Sequence, residues 1–349
     1  MLINYRPIKI LHIADMHLRH SGRLFYGTGK KINSGFIKNN INVLQISDRD
    51  FLQSNILNYK KKLFFDYIIN TVNNFSPDVI LFGHVDSLNQ KDLFELKSKF
   101  KNIHFSQYFV DTLDDKFENF KHHKNRFFLK YQICDTNFIT TDPSVIDFAD
   151  NSKTFYIPNV CDSSIDFLEN YKYKNLEYDI FFALSHGQHR GNLKKGYIDE
   201  RVEFLKKIDD EKIIKNFFGI QKNPIWGNQF FNELSKSKMG LNFNRGSPIK
   251  YYSSDRICSL IANGLLTFLQ KDYSYEDFFD DNEHVIYFDN HEDLKEKIQF
   301  YSNNFKHRSK IAEKGKNRYF ELFDHKLVTK FMINKIFHTK ITDKKSWMN

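Results

Sequence analysis

The sequence predicts an α/β protein made of two similar halves, each a parallel sheet wrapped by helices. Three observations support this fold class. Apolar runs of strand length alternate with segments of helical period, as in consecutive βαβ units. The chain has 349 residues, which is long for one core and suits two domains. The alternation pauses once, at FYIPNVCDSSIDFLENYKYKNLEYD (155–179), a polar and tyrosine-rich stretch typical of a linker, and then restarts.

In the first half, short apolar runs predict strands and amphipathic segments predict helices. The expected strands are IKILHIA (8–14), VLQIS (43–47), DVILFGH (78–84), IHFSQYF (103–109) and FITT (138–141). The expected helices are GKKINSGFIKNN (29–40), LFFDYIINTVNNF (63–75) and QKDLFELKSKF (90–100). We therefore expect an N-terminal domain at 1–160.

The same alternation runs through the second half. The apolar runs are DIFFALS (179–185), IIKNFFGI (213–220), 239–243, 265–269 and HVIYF (284–288). The helical segments are 199–208, 228–237, one near 254–263, 291–305 and the long C-terminal stretch 308–337. These patterns predict a linker at 161–178, a second domain at 179–320 and a helical tail at 321–349. Ligands of such folds bind at the carboxyl ends of the strands, so we expect a site in a cleft between the two domains.

Composition narrows the range of partners. The 52 Lys and Arg exceed the 43 Asp and Glu, which gives a formal net charge of +9, but basic and acidic residues are interspersed. This favours anionic ligands in general and supplies no recognised nucleic-acid module, although a non-enzymatic nucleic-acid or interaction protein stays open as a hypothesis. The three cysteines imply neither a disulfide framework nor a zinc site. Without a long apolar segment, the chain is expected to be soluble and cytoplasmic, with no transmembrane segment and peripheral membrane contact left open.

Polar residues separate two apolar strands in SKMGLNFNRGSPIKYYSSDRICSLIANGLLTFLQ (237–270). The question is why basic and hydroxyl side chains lie between two buried strands. Ser253 or Ser254 is a good N-cap and Gly264 a good terminator, which predicts a helix of about ten residues. Arg256 would lie in its first turn, where amide groups and the helix dipole attract anions. Its basic companions in the loop are Arg245 and Lys250. The block predicts a phosphate or diphosphate site, and a plain capped helix with solvated basic residues is an equally good interpretation.

Two other loops carry similar chemistry. ALSHGQHRGNLKKG (183–196) leaves a strand through small residues, and its Ser185, His186 and Arg190 could hold the phosphates of a nucleotide. In the first half, Gly27 and Gly29 precede a helix with a spacing that excludes a Walker P-loop. They predict a glycine-rich turn on the acceptor side of the cleft. For residues 183–196, a surface loop with spare charge is the alternative.

Metal and acid–base patterns occur in the first half. Asp48-Arg49-Asp50 matches a short Asp-x-Asp motif of some sugar transferases, which is common by chance. ILHIADMHL resembles the opening of binuclear metallophosphoesterases, with Asp15 and His17 as ligands, and this is the alternative function. The later blocks of that family are missing or out of order. His84 and Asp86 follow the third strand, where either could act as a general base, or simply cap neighbouring elements.

An ordered series of segments in residues 155–330 resembles glycosyltransferases with two Rossmann-like domains facing each other across a cleft, the GT-B architecture. It is most similar to the group 1 relatives described as spore-maturation or spore-coat-protein-like. The matching segments are FYIPNVCD, DIFFALSHGQHRG, SKMGLNFNRG, SDRICSLIANGLLTF, YEDFFDDNEHVIYFDNHEDLKEKIQFYSNN and HRSKIAEKGKNRYFELFDH.

The resemblance implies transfer of a sugar from a nucleotide-sugar donor, held by the second half, to a glycan or lipid-linked acceptor, held by the first, in cell-surface glycan synthesis. It implies no metal and no other cofactor, because basic residues and helix N-termini would stabilise the leaving diphosphate. Many relatives carry Glu five residues before the helix-ending glycine. Ser259 stands there in this chain, which leaves the donor contact at this position open.

Overall fold

The computed structural model describes residues 6–54, 60–116, 119–184, 200–208, 211–220 and 222–348, which form two compact units. The first unit comprises Met1–Asp162 together with His325–Asn349, and the second comprises Ser163–Asp324. The C-terminal segment from His325, which the sequence predicted as part of a helical tail, therefore belongs to the first unit.

The first unit contains a six-stranded parallel sheet in the order β2-β1-β3-β4-β5-β6. Its strands are β1 Lys9–Ile13, β2 Asn42–Ile46, β3 Val79–Phe82, β4 His104–Phe109, β5 Thr136–Ile139 and β6 Thr154–Tyr156. All residues of β3 and β5 are buried, because helices cover both faces of the sheet, and this explains the continuous apolar run of β3. β6 lies at the start of the polar stretch and was not predicted, since only three residues of it pair.

Helices, numbered along the whole chain, cover this sheet. Those of the first unit are α1 Thr28–Lys38, α2 Asp48–Ser54, α3 Lys60–Phe75, α4 Gln90–Lys99, α5 Phe120–Tyr131 and α11 His325–Ile336. The sequence predicted α1, α3 and α4 but not α2 or α5. α5 is rich in Lys, His and Phe without a clean apolar stripe, and only Phe127 and Lys130 of it are buried.

α11 packs against α1 at a glycine. A Cβ at Gly35 would overlap the carbonyl oxygen of His325 and lie 2.7 Å from Thr329 Oγ1. Asn39 Nδ2 donates to that same hydroxyl at 3.0 Å, and to the carbonyl of Lys326 at 2.8 Å. The backbone N–H of His325 donates to the carbonyl of Cys161 at 2.9 Å. The C-terminal helix is thus fixed to the first unit by close backbone approach and by hydrogen bonds.

The second unit contains a five-stranded parallel sheet in the order β11-β10-β9-β7-β8. Its strands are β7 Tyr178–Ala183, β8 Lys215–Phe218, β9 Ser237–Asn242, β10 Leu266–Gln270 and β11 Ile286–Phe288. Its described helices are α6 Glu200–Lys207, α7 Gly227–Ser235, α8 Arg256–Ile261, α9 His291–Asn303 and α10 Phe305–Phe323. No described helix in either unit is both long and apolar enough to cross a membrane.

Both sheets share one topology. In each unit the first strand lies inside the sheet, the second strand lies on one side of it, and the third strand lies on the other. The chain therefore leaves β1 and β3, and likewise β7 and β9, in opposite directions. Such a reversal opens a crevice at the carboxyl ends of the two strands, which is where open α/β sheets bind ligands.

The helix after β9 is shorter than predicted. α8 has six residues, and its N-cap is Asp255, whose side chain makes no capping hydrogen bond. The expected cap, Ser253, is 2% exposed, and its hydroxyl bonds instead with Asn242 and Asn244. The prediction of a helix of about ten residues, capped by Ser253 or Ser254, was wrong because a serine hydroxyl can satisfy a neighbouring side chain as well as a helix end. Gly264 has a φ of +74°, as expected of a glycine that ends a helix.

Replacing Gly35 by alanine should lower the free energy of unfolding by about 1–3 kcal/mol, because the added methyl group has no room between α1 and α11. Alanine gains about 1 kcal/mol of helix propensity over glycine, which opposes this effect without relieving the overlap with a backbone oxygen. Urea denaturation measures the difference. Ile37→Ala is the control on the same helix, since Ile37 is 59% exposed, and it should change the free energy by less than about 0.5 kcal/mol. Equal stability of Gly35→Ala and the wild type would contradict this packing.

Candidate functional site

A network of charged side chains follows the carboxyl ends of four neighbouring strands in the first unit. The acidic members are Asp15 after β1, Asp48 and Asp50 after β2, Asp86 after β3 and Asp111 after β4. The basic members are Arg19, Arg49 and Arg126, and His84 lies among them. Because parallel strands end at one edge, residues far apart in sequence meet there.

Asp15 is bound by a guanidinium group through both carboxylate oxygens. Arg19 Nη1 donates to Oδ1 at 2.6 Å and Nη2 donates to Oδ2 at 2.7 Å. The backbone N–H of His17 donates to the same carboxylate at 3.0 Å. Burial acts to raise the pKa of Asp15, but the Arg19 and His17 bonds outweigh it, so the pKa is lowered. Asp15 is therefore an ionised, fully engaged carboxylate.

This arrangement bears on the metallophosphoesterase hypothesis. That hypothesis needs Asp15 and His17 to bind a cation, whereas Asp15 already binds Arg19, and Arg49 lies 3.4 Å from its second oxygen. Within the part of the chain that the structure describes, no three His, Cys, Asp or Glu residues form a group that could hold a metal ion. The two-metal alternative gains no support from these residues.

His84 is held by Arg126, a residue that the sequence patterns did not single out. Arg126 Nη2 donates to His84 Nδ1 at 2.6 Å, and its other nitrogens donate to Asp86 at 3.0 Å and to Asp111 at 2.9 Å. A guanidinium group can only donate, so Nδ1 is the acceptor and the ring proton sits on Nε2. The imidazole stacks on Phe109, with centroids 5.6 Å apart.

The same contacts set the ionisation of His84 and Asp86. Burial, together with the cationic Arg126, lowers the pKa of His84 to about 4, and the Asp111 carboxylate only partly opposes this. Burial acts to raise the pKa of Asp86, but Arg126 and Arg49 lower it below its usual value. In this arrangement His84 is neutral with its proton on a buried Nε2, while Asp86 is an ionised carboxylate. Of the two predicted bases only Asp86 is charged, and Arg49 and Arg126 each donate to one of its oxygens.

Gly27 and Gly29 lie at the start of α1, above a buried polar network. A Cβ at Gly29 would lie 3.1 Å from the Tyr108 hydroxyl and 3.8 Å from the His12 ring. His12 binds Asn33 Oδ1 through Nδ1 at 2.6 Å and the Tyr108 hydroxyl through Nε2 at 3.1 Å. Burial lowers the pKa of His12 to about 4, so the ring is neutral. Gly29 therefore packs closely on this network, which local sequence patterns do not reveal because its members are far apart in the chain.

In the second unit, Arg256 bridges the two strands that flank the crevice. Its Nε donates to the carbonyl of Ala183, the last residue of β7, at 3.2 Å. Its Nη1 donates to the carbonyl of Phe243, directly after β9, at 3.1 Å. The guanidinium carbon lies 4.7 Å from the ring centroid of Phe182. The part-buried positive charge of Arg256 thus lies at the carboxyl ends of β7 and β9 and holds the two strand ends together. Its predicted role in binding a diphosphate stays a prediction.

The serines before α8 belong to a polar cluster beneath the loop. Asn242 Nδ2 donates to the Ser253 hydroxyl at 3.1 Å, and the backbone N–H of Ser254 donates to Asn244 Oδ1 at 3.3 Å. Asn244 Nδ2 also reaches the hydroxyl of Tyr275 at 3.3 Å. These bonds shape the loop between β9 and α8. Ser253, buried at 2% exposure, therefore has a structural role in this arrangement.

The described members of the remaining predicted donor set lie in the loop between β9 and α8 and in α8 itself. Lys250 Nζ lies 4.7 Å from the ring centroid of Tyr251, whose hydroxyl donates to Asp277 at 2.5 Å. Arg245 is partly exposed in the loop. Ser259 is 7% exposed and its hydroxyl donates to the carbonyl of Asp255 at 3.3 Å, a bond within the helical turn. Three further predictions, Ser185, His186 and Arg190, lie outside the described residues.

Comparisons with known proteins agree with this architecture. Residues 201–332 match the family model described as glycosyl transferase-like. No curated protein sequence matches the chain. An alpha-glucosyltransferase, solved with UDP-glucose and DNA containing an abasic site, is similar with a TM-score of 0.63 at 13% identity, over 95% of this chain and 100% of that one. The fold is GT-B.

Two other structures show the same GT-B fold. HepE from Anabaena, solved with UDP, gives a TM-score of 0.61 at 9% identity, over 95% of this chain and 100% of its own. Sucrose-phosphate synthase from Thermosynechococcus elongatus gives 0.58 at 10% identity, over 95% and 98%. At such low identities the likeness establishes the fold of the two units and not an activity.

Replacing Arg126 by glutamine should raise the pKa of His84, because a cation is removed while Asp86 and Asp111 remain. The folded-state pKa of about 4 lies below the usual 6.5, so His84 contributes stability that is lost as the pH falls from about 6.5 towards 4. A higher folded-state pKa of His84 would shorten the pH range over which this stability is lost. NMR titration of the ring resonances measures the shift. His104, whose charged neighbours are Asp135, Lys97 and His338, is the internal reference, and an unchanged His84 pKa would contradict the proposed contact.

Replacing Arg256 by alanine should reduce the free energy of unfolding by about 1–3 kcal/mol, because the carbonyls of Ala183 and Phe243 each lose a charged donor. Thermal and urea denaturation measure the change. The matched control is Lys271→Ala, which removes an exposed ion pair with Asp289 and should cost less than about 1 kcal/mol. If the two variants are equally stable, Arg256 does not hold the strand ends together.

Proposed function

We propose that this protein is a glycosyltransferase that moves a sugar from a nucleotide-sugar donor to an acceptor hydroxyl. One observation carries the proposal: the glycosyl transferase-like match begins at residue 201 and includes the β9–α8 block, where Arg256 spans the crevice of the second sheet. The sequence block that raised the question of a diphosphate site is therefore also the block that lies at the ligand-binding edge of the fold.

The second unit would hold the donor. Departure of a nucleoside diphosphate develops negative charge, which fixed cations and amide groups can stabilise without a metal ion. Arg245, Lys250 and Arg256 supply positive charge at this edge, and Ser254 and Ser259 lie beside them. Ser185, His186 and Arg190, which follow β7 in the sequence and lie outside the described residues, complete the proposed donor set. Because the alpha-glucosyltransferase structure contains UDP-glucose and the HepE structure contains UDP, uridine diphosphate sugars are the first donors to test.

The first unit would hold the acceptor. An acceptor hydroxyl must lose its proton as it attacks, and Asp86 is an ionised carboxylate that can take it. His84 would position Arg126, which donates to both His84 and Asp86. Asp15 and His17, with Gly27 and Gly29, belong to the proposed acceptor-side loops, Asp15 by fixing the turn and not by binding a metal.

The biological setting is also part of the proposal. We infer a role in cell-surface glycan synthesis in the cytoplasm, within the spore-coat-protein-like group of group 1 enzymes, with a glycan or lipid-linked acceptor. The resemblance of the segments from 155 to 330 supports this group. One structural neighbour was solved with DNA, so DNA belongs in any acceptor panel.

Incubation with UDP-, GDP-, ADP- and TDP-sugars should give saturable binding of at least one donor and slow release of its nucleoside diphosphate. Calorimetry measures binding and a coupled nucleotide assay measures release. Adding an acceptor, chosen from oligosaccharides, lipid-linked sugars and DNA, should speed release. A folded protein that binds none of the donors would refute the proposed function.

Two variants separate the roles of the units. Arg256→Ala should weaken nucleotide binding by about 1.5–3 kcal/mol, the scale of a charged hydrogen bond, in protein shown by denaturation to be folded. Asp86→Asn should leave donor binding unchanged while slowing acceptor-dependent release by about 100-fold or more, the usual range for a lost general base. Unchanged nucleotide affinity in Arg256→Ala would remove that residue from the donor site.

A further inference from the structure

A polar cavity lies at the amino ends of the strands in the first sheet. The network of aspartates and arginines lies at the opposite, carboxyl ends. The cavity has a volume of about 520 Å³ and is lined at the amino ends of β5 and β6, where Thr136 and Lys153 lie. The end of α11 and the segment after it supply the other wall, including Lys335, His338 and Lys344. The proposed sugar transfer uses none of these residues, so the cavity needs its own explanation.

The cavity is strongly positive. Lys153, Lys335 and Lys344 line it, while its only lining carboxylate among the described residues is Asp135. That carboxylate is already matched by Lys97, which does not line the cavity and donates to it at 2.6 Å. Neither Lys153 nor Lys344 forms an ion pair with any described residue.

Aromatic rings lie beside two of these lysines. Lys153 Nζ lies 4.0 Å from the ring centroid of Tyr131, and Lys335 Nζ lies 4.3 Å from that of Phe155. Such contacts orient an ammonium group. Burial, and then the nearby Lys344, lowers the pKa of Lys335, which shows that the cations repel one another. A bound anion would relieve that repulsion.

The rest of the lining suits an organic anion better than a bare ion. Ser152 and Thr339 offer hydroxyl groups, and Phe155, Ile341 and Met348 offer apolar surface. A volume of about 520 Å³ falls in the range of roughly 300–1,000 Å³ that is usual for small-molecule pockets. Three ammonium groups, hydroxyl donors and an apolar side together match a phosphate group joined to a small carbon skeleton.

We propose that this cavity is a binding site for a phosphate monoester, held by Lys153, Lys335 and Lys344. The site is separate from the carboxyl edge and does not depend on the proposed transferase activity. A soluble phosphorylated metabolite and the headgroup of phosphatidic acid share this chemistry, and the experiment distinguishes them.

The C-terminal segment provides a built-in reporter. Trp347 is 3% exposed, follows the cavity wall directly and packs on Phe331 at 5.0 Å between ring centroids. Trp226 is the other tryptophan of the chain, which has two. In a Trp226→Phe background, the emission of Trp347 therefore reports on this wall alone.

Titration of that protein with glycerol 3-phosphate, and separately with inorganic phosphate, should change Trp347 emission saturably below about 10 mM, an affinity of a few kcal/mol. Added salt should weaken binding, because the interaction is between charges. Sedimentation with phosphatidylcholine vesicles, with and without phosphatidic acid, tests the headgroup. Saturation by glycerol 3-phosphate identifies a soluble ligand, and binding only to phosphatidic acid vesicles identifies a lipid; either result supports the site.

The matched variants are Lys153→Ala with Lys344→Ala, against Lys340→Ala as the control. Lys340 is exposed on the same segment and does not line the cavity. The double variant should weaken binding by about tenfold or more, the loss of roughly 1.4 kcal/mol, while the control stays within about twofold of the wild type. Absence of saturable binding to all the probes, or an equal loss in the control, would overturn the proposal.

Discussion

The guanidinium group of Arg256 joins the carboxyl ends of β7 and β9. These are the two strands of the second sheet from which the chain leaves in opposite directions. The carbonyls of Ala183 and Phe243 lie where ladder hydrogen bonds stop, and each needs a donor. Arg256 supplies both while its flat face rests on Phe182. The loops after β7 and β9 therefore start side by side, with a positive charge between them. Every proposed donor contact depends on that placement, since a diphosphate needs fixed cations and not merely nearby ones.

The carboxyl ends of the strands in the first sheet carry charged side chains of both signs. Asp15, Asp50 and Asp86 each face at least one arginine. The buried Asp48 instead accepts hydrogen bonds from the backbone N–H of Asp86 and the hydroxyl of Ser87. Arg126 extends the series to the strand beyond and thereby fixes the proton of His84 on Nε2. The network leaves little freedom to its side chains. Asp86, the proposed base, accepts from Arg49 at one oxygen and from Arg126 at the other, and its side chain is 38% exposed.

The C-terminal segment gives the first unit a second polar surface. Because Gly35 lets α11 approach α1 closely, the chain beyond α11 is carried to the amino ends of β5 and β6. Lysines from three parts of the chain meet there beside aromatic rings. The two ends of the strands in this sheet thus differ in charge. At the carboxyl ends most carboxylates pair with arginines, whereas at the amino ends the lysines that line the cavity exceed the carboxylates.

The sequence by itself determined the fold class and most of the strands, because buried parallel strands leave continuous apolar runs that need no partner to be recognised. It also indicated which strand ends carry charge, as with Asp15, His84 and the Arg256 block. Only the tertiary structure decided what those charges bind. Arg126 reached the site from α5, a helix whose local pattern carries no signal, and Asp111 from the loop after β4. Ser253, expected as a helix cap, is a buried hydrogen-bonding partner. The physical reason is that periodicity is a local property of the chain, whereas a hydrogen bond or an ion pair depends on which distant residue folding brings within about 3 Å.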